Sequence, residues 1–231
     1  MCKSCSFTIS SKVDLLLNLM SYKLDGMGMW DVVGVVGCSG VMIVFLLLSC
    51  WKWIVDGFKS TGCYNDQCPG FVQVDPKYRT GLPFQNISTP NGTQYVFDVL
   101  IIQEQSTGNW WMKERNNLRI GYWPKELFNH LGDGAAVVRY GGTTSASKET
   151  GLSAQMGTGA FPKRDYRTGV GFFIQNKIMG SDFVMNDVVL TEMVKNVDTS
   201  TACYDLGYFG FVSKDVRETF SYGGPGGSCG T

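Results

Sequence analysis

The sequence predicts an all-β protein, an antiparallel β-sandwich preceded by one apolar helix. Three observations carry that reading. Glycine supplies 29 of 231 residues, aromatics 13% and charged residues only 17%, usage that favours sheets joined by tight turns over helical bundles. From Tyr95 onward, short β-branched or aromatic runs recur with turn residues between them, the pattern of antiparallel strands. An uncharged stretch of nineteen residues, 32–50, stands apart from the rest.

The strands are justified one by one. Tyr95–Gln103 is a β-branched run, Ser106–Asn109 is a turn, and Trp110–Arg115 returns as a second strand, a hairpin signature. Asn116-Asn117 turns again into Leu118–Trp123. Pro124–Leu131 predicts a short helix, with proline at its first position and Gly132 stopping it. Ala135–Tyr140 and Gly169–Gln175 predict two further strands.

The run at 32–50 has the length needed to cross a hydrocarbon core as a helix. Asp31 and Lys52 bracket it, and Trp30, Trp51 and Trp53 stand at interfacial positions. It is therefore expected to be a transmembrane or signal-anchor helix and the route of any membrane insertion. Its three glycines weaken a helix and favour the alternative, a buried apolar segment. Ahead of it, residues 10–20 suggest a short amphipathic helix. Cys2 and Cys5 form a lone CxxC in a chain with a single histidine, too few ligands for a zinc site. The chain divides into an unassigned segment (1–31), the apolar helix (32–52) and a β domain (53–231).

Lys plus Arg and Asp plus Glu are both 20, so the net charge is zero. Nucleic acid is not an expected partner, because neutralising phosphates takes a clustered basic surplus. No metal or cofactor motif is present. Cys63, Cys68, Cys203 and Cys229 fall in the β domain, and four cysteines allow three connectivities. Asn86-Ile-Ser88 and Asn91-Gly-Thr93 are glycosylation sequons. With the apolar run, these features point to a membrane, a secretory lumen or the cell exterior.

A set of blocks then resembles the plant neprosin family, the glutamic prolyl endopeptidases. They are Asp56–Gln73, Gly108–Met112, Gly121–Pro124, Tyr140–Gly142, Gln155–Gly159 with Phe161-Pro162, Ala202–Asp205, and Tyr222–Gly226 before Cys229. They keep family order over about 53–231. The resemblance implies secretion, a β-sandwich, disulfides pairing Cys63 with Cys68 and Cys203 with Cys229, and cleavage after proline by two glutamates. Hydrolysis of this kind needs one carboxylate as base and a second, kept protonated, as acid.

Both family glutamates are absent from their slots. The second follows the two glycines of the block matched by Tyr140-Gly141-Gly142, where this chain has Thr143. A threonine hydroxyl cannot serve as a carboxylate base. The first lies in a block for which residues 1–52 offer no match, so the domain reads as incomplete, with strand edges left unpaired. Substitutes are weak. Glu149 reads as a loop residue, Glu104 and Glu114 as hairpin-rim charges partnered by Lys113 or Arg115, and His130 as a residue of the helix surface. Trp110, Trp111, Tyr122 and Trp123 form an aromatic set for core packing or for a peptide groove.

The expected function is therefore that of a shortened, divergent neprosin relative without peptidase activity. Its alternatives are a non-catalytic extracellular module binding proline-containing peptide or a cell-wall component, and an active acid endopeptidase.

Overall fold

A computed structural model describes the backbone of residues 4–19, 30–36, 41–45, 52–53, 63–64, 69–80, 88–96, 98–128, 131–132, 134–147, 149–156, 159–189, 193–197 and 199–229. Side chains are described from residue 69 onward, apart from positions 115, 136, 137, 139, 141–145 and 166. The strands are β1 Ser4–Leu19, β2 Trp30–Val36, β3 Val41–Phe45, β4 Lys52–Trp53, β5 Cys63–Tyr64, β6 Val72–Gln73, β7 Val99–Gln103 and β8 Trp110–Glu114. They continue as β9 Leu118–Trp123, β10 Ala135–Ser145, β11 Gly171–Phe173, β12 Lys177–Met179, β13 Met185–Asp187, β14 Val194–Val197, β15 Asp205–Phe211 and β16 Glu218–Gly223. The pairings among them are antiparallel. The chain is all-β, as the sequence predicts.

Among the described residues the largest sheet runs β3-β2-β10-β1-β7-β8-β9-β6, with β12 and β14 also on β1 and β13 on β12. A second sheet is ordered β11-β16-β15. The two face each other through rings. Tyr140 of β10 lies 6.1 Å from Phe173 of β11 and 5.7 Å from Phe220 of β16, with Phe173 and Phe220 stacked at 4.6 Å. Edge-on and offset contacts of this kind add to what the buried area contributes. Trp110, Trp123, Tyr204 and Tyr222 are also fully buried.

Two expectations for the N-terminal region are corrected. Residues 32–36 and 41–45 are not helix: β2 pairs with β3 from Val32↔Phe45 to Val36↔Val41, and with β10 on its other side. Long apolar runs read alike for buried strands and buried helices. Here Val32, Val33, Val35, Val36, Val41, Ile43 and Val44 are β-branched and favour strand. Gly37-Cys-Ser-Gly40 supplies turn residues between them. Among the described residues no helix is long and apolar enough to cross a membrane.

Residues 10–19 are likewise strand. β1 pairs with β10 from Ser4↔Ser145 to Leu15↔Ala135 and with β14 from Phe7↔Val197 to Ser10↔Val194. Its far end pairs with β7 and β12. Cys5, Phe7 and Ile9 alternate with Ser4, Ser6, Thr8 and Ser10, a period-2 signal. The edges of β7, β10, β12 and β14 that the incomplete-domain expectation left open are thus hydrogen-bonded to this segment.

Elsewhere the predicted elements shift at their ends. The helix expected at 124–131 is one 3₁₀ turn, Lys125–Leu127. The strand expected at 95–103 begins at Val99, and the one expected to stop at Tyr140 continues to Ser145. Cys203 and Cys229 are disulfide-bonded with Cα atoms 5.5 Å apart, tying the entry of β15 to the exit of β16.

Candidate functional site

The outer face of the large sheet is built by β7, β8, β9 and β6. Register places Ile102, Trp111, Tyr122 and Val72 in one row across these strands. Strand alternation turns their neighbours Trp110 and Trp123 inward, where they are 0% and 1% exposed. The four predicted groove aromatics therefore divide. Trp110 and Trp123 belong to the core, with Phe71 set edge-on to Trp123 at 4.7 Å. Trp111 and Tyr122 pair on the opposite face with ring centres 4.7 Å apart.

Polar groups close around that pair. The Arg119 guanidinium lies 4.4 Å from the centre of the Trp111 ring, a cation–π contact. Its Nη2 donates to Glu104 Oε1 at 2.9 Å. Glu104 Oε2 accepts from Thr107 Oγ1 at 2.8 Å and from Trp111 Nε1 at 3.2 Å. These bonds, led by the one from Thr107 and joined by the Arg119 charge, hold the Glu104 carboxyl below its ordinary range. Lys113 stands directly opposite Arg119 and donates from Nζ to Asn117 Oδ1 at 2.9 Å. Burial, and next the neighbouring Arg119 charge, lower its pKa.

Glu104 is thus a charge on the hairpin rim, and among the described side chains its ion-pair partner is Arg119 rather than Lys113. It does not face Glu114. Glu104 aligns with Asn109 past the end of β7, whereas Glu114 lies opposite Val99 and Leu118. Thr143 is placed by its backbone alone, within β10 between Ser6 of β1 and Trp30 of β2. Glu149 is exposed on a turn, its amide donating to Ser147 Oγ at 3.2 Å. Asn91 is exposed on a turn at φ 56°, its amide donating to Arg167 O at 2.9 Å. Asn86, Cys68 and His130 lie outside the described residues, and Cys63 is placed through its backbone pairing with Trp53.

A second cluster has no counterpart in the sequence reading. Arg217 Nε donates to Asp187 Oδ1 at 2.9 Å, and its Nη2 reaches the other carboxylate oxygen. Tyr208 Oη donates to Glu218 Oε2 at 2.6 Å and lies 3.2 Å from the Val188 carbonyl. Asp187 is held below the usual aspartate range, first by the hydrogen bond from Arg217. Burial, and then Glu218, raise the Tyr208 phenol and keep it protonated. Asp187 pinned by a permanent cation cannot carry a proton near neutral pH. The cluster therefore works as a clasp between sheets. No local motif marks it, since its members come from β13, β15, the residue before β16 and the start of β16. Among the described residues, no three His, Cys, Asp or Glu side chains are grouped to hold a metal ion.

The Cys203–Cys229 bond and the inward tryptophans of the Gly108–Met112 and Gly121–Pro124 blocks lie in the part of the chain that carries the resemblance. A family model described as Neprosin matches residues 47–225, more than half of the chain, and the protein belongs to the neprosin family.

Proposed function

We propose that this neprosin-family protein does not use the family's glutamate pair, and that it acts as a non-catalytic binding module for a proline-containing peptide or a cell-wall component. The observation that carries the reading is Thr143 in the slot of the second glutamate. Its backbone neighbours across β10, Ser6 and Trp30, supply no acid in exchange. The acids nearest the outer aromatic face and the sheet junction support it further. Glu104 is held by Arg119 and Asp187 by Arg217, and an acid so paired is a poor proton donor. A secretory or extracellular setting is supported by the Cys203–Cys229 bond.

The test is a peptidase assay of the full chain on a proline-containing peptide from pH 3 to pH 7. No cleavage above a blank is expected. Cleavage after proline that disappears in Thr143→Ala would overturn the reading. A second reading, an acid endopeptidase with a relocated pair, draws on the two acids of one cluster, Asp187 bonded by Arg217 and Glu218 bonded by Tyr208. Cleavage abolished by both Asp187→Asn and Glu218→Gln in folded protein would establish it instead.

A further inference from the structure

The outer face of β8 and β9 sets two cations against each other. Lys113 and Arg119 are cross-strand partners, and like charges directly opposite on a sheet are destabilising. Asp or Glu opposite one of them would remove that cost, yet Glu104, the carboxylate seen to bond either cation among the described residues, reaches Arg119 and is shared with Thr107 and Trp111. Burial, and next the Arg119 charge, lower the Lys113 pKa. The Arg119 side chain remains 47% exposed, and Lys113 Nζ donates one hydrogen bond to Asn117 Oδ1. Donors for an anion are therefore in place.

One partly exposed aromatic ring adjoins these cations, while Trp111 beside it is buried. Tyr122, half-buried, stands in the row Ile102–Trp111–Tyr122–Val72 next to the Lys113–Arg119 pair. Along β8 two residues, Trp111 to Lys113, separate the rows by about 6.6 Å, the scale of one sugar ring and the carboxylate it carries; on β9 three residues span the same step across a bulge. We propose that this face binds a carboxylated polysaccharide, with a uronate carboxylate bridging Lys113 and Arg119 and the sugar's C–H face resting on Tyr122. The proposal deepens the non-catalytic reading above, on which it rests, by naming the partner class.

An acidic peptide fits less well. Extended peptides gain affinity by adding a strand to a free edge, and β8 and β9 are hydrogen-bonded on both sides. A peptide would have only side chains to offer to this face. A pyranose needs no backbone pairing, because stacking and one ion pair hold it.

The experiment is calorimetric titration of the full chain with oligogalacturonate, its methyl ester and oligoglutamate of matched length. Oligogalacturonate should bind, the uncharged ester should not, and oligoglutamate should bind at least 10-fold more weakly. Lys113→Gln and Arg119→Gln should each weaken oligogalacturonate about 10-fold, while Lys113→Arg retains binding. Tyr122→Ala should weaken oligogalacturonate and leave oligoglutamate unchanged. A melting transition in Lys113→Gln no lower than the parent's, as relief of the opposed charges requires, separates lost binding from lost fold. Failure to bind oligogalacturonate, or equal binding of oligoglutamate with no effect of Tyr122→Ala, overturns the proposal. Proline-directed cleavage in the separate peptidase assay would overturn the non-catalytic reading, whatever the titration shows.

Discussion

Arg217, immediately before one sheet's β16, grips Asp187, at the end of the other sheet's β13, through both guanidinium and carboxylate branches. Arg217 has a left-handed backbone, φ 52°, a conformation unusual for a long side chain. Bidentate geometry gives this pair more directionality than an ordinary surface ion pair.

The first prediction concerns acid. Asp187 has its pKa depressed in the folded state, first by the hydrogen bond from Arg217, against about 3.9 when unfolded. Its contribution is complete above the unfolded value and is lost as pH falls through the lower folded value. Asp187→Asn should therefore melt below the parent by a constant interval between pH 7 and pH 5. The interval should shrink only below about pH 4. Melting curves across that range check this, and an interval that widens on acidification contradicts it.

The second prediction concerns the disulfide. Cys203 and Cys229 close a loop with a sequence separation of 26, for which the chain-entropy argument gives about 3.5 kcal/mol. Cys203→Ser should lower the melting temperature by roughly 10 °C. Scanning calorimetry decides it, and a loss near zero would mean that the oxidised bond contributes nothing to this fold.

The third compares two glycines. An added Cβ at Gly224 would come within 2.0 Å of the Cys203 carbonyl oxygen, and its φ is +154°. At Gly132 an added Cβ meets nothing within 4 Å. Gly224→Ala should abolish or severely reduce folded protein, whereas Gly132→Ala should change stability by less than about 0.5 kcal/mol. Soluble yield and urea unfolding of the two variants provide the check.

The sequence made β8 and β9 legible because their signals are local. Trp110 and Met112 alternate with Trp111 and Lys113, and Asn116 and Asn117 both take the left-handed backbone (φ 65° and 64°) that asparagine tolerates. β1 was obscured by Leu15-Leu-Leu17, which reads equally as a helix face, although Cys5, Phe7 and Ile9 alternate ahead of it. What decided its state was pairing with strands more than a hundred residues away, from β10 to β14. The helix expected after Pro124 stops after one turn as Phe128 turns inward into the core. At the site, the aromatic residues were legible by type but not by side of the sheet. Pairing register sends Trp110 inward and Trp111 outward, and it also selects Arg119 over Lys113 as the partner of Glu104. The Asp187–Arg217 clasp depends wholly on tertiary packing and left no trace in spacing.

The last prediction separates the two buried indoles. Trp110 Nε1 donates to the Leu131 carbonyl at 3.2 Å, while Trp123 Nε1 is buried with no acceptor among the described residues. Replacing either by phenylalanine removes the same atoms from a close-packed core, so the cavity costs should be similar. The hydrogen-bond consequences differ. Trp110→Phe gives up a made bond, although the Leu131 carbonyl keeps the one from Gln103 Nε2 at 3.1 Å. Trp123→Phe sheds a donor whose desolvation nothing offsets, and that relief counts against its cavity cost. Trp123→Phe should therefore be the milder change by about 1 kcal/mol in urea unfolding. Equal losses in the two variants would refute the assignment of Trp123 as an unpaired donor.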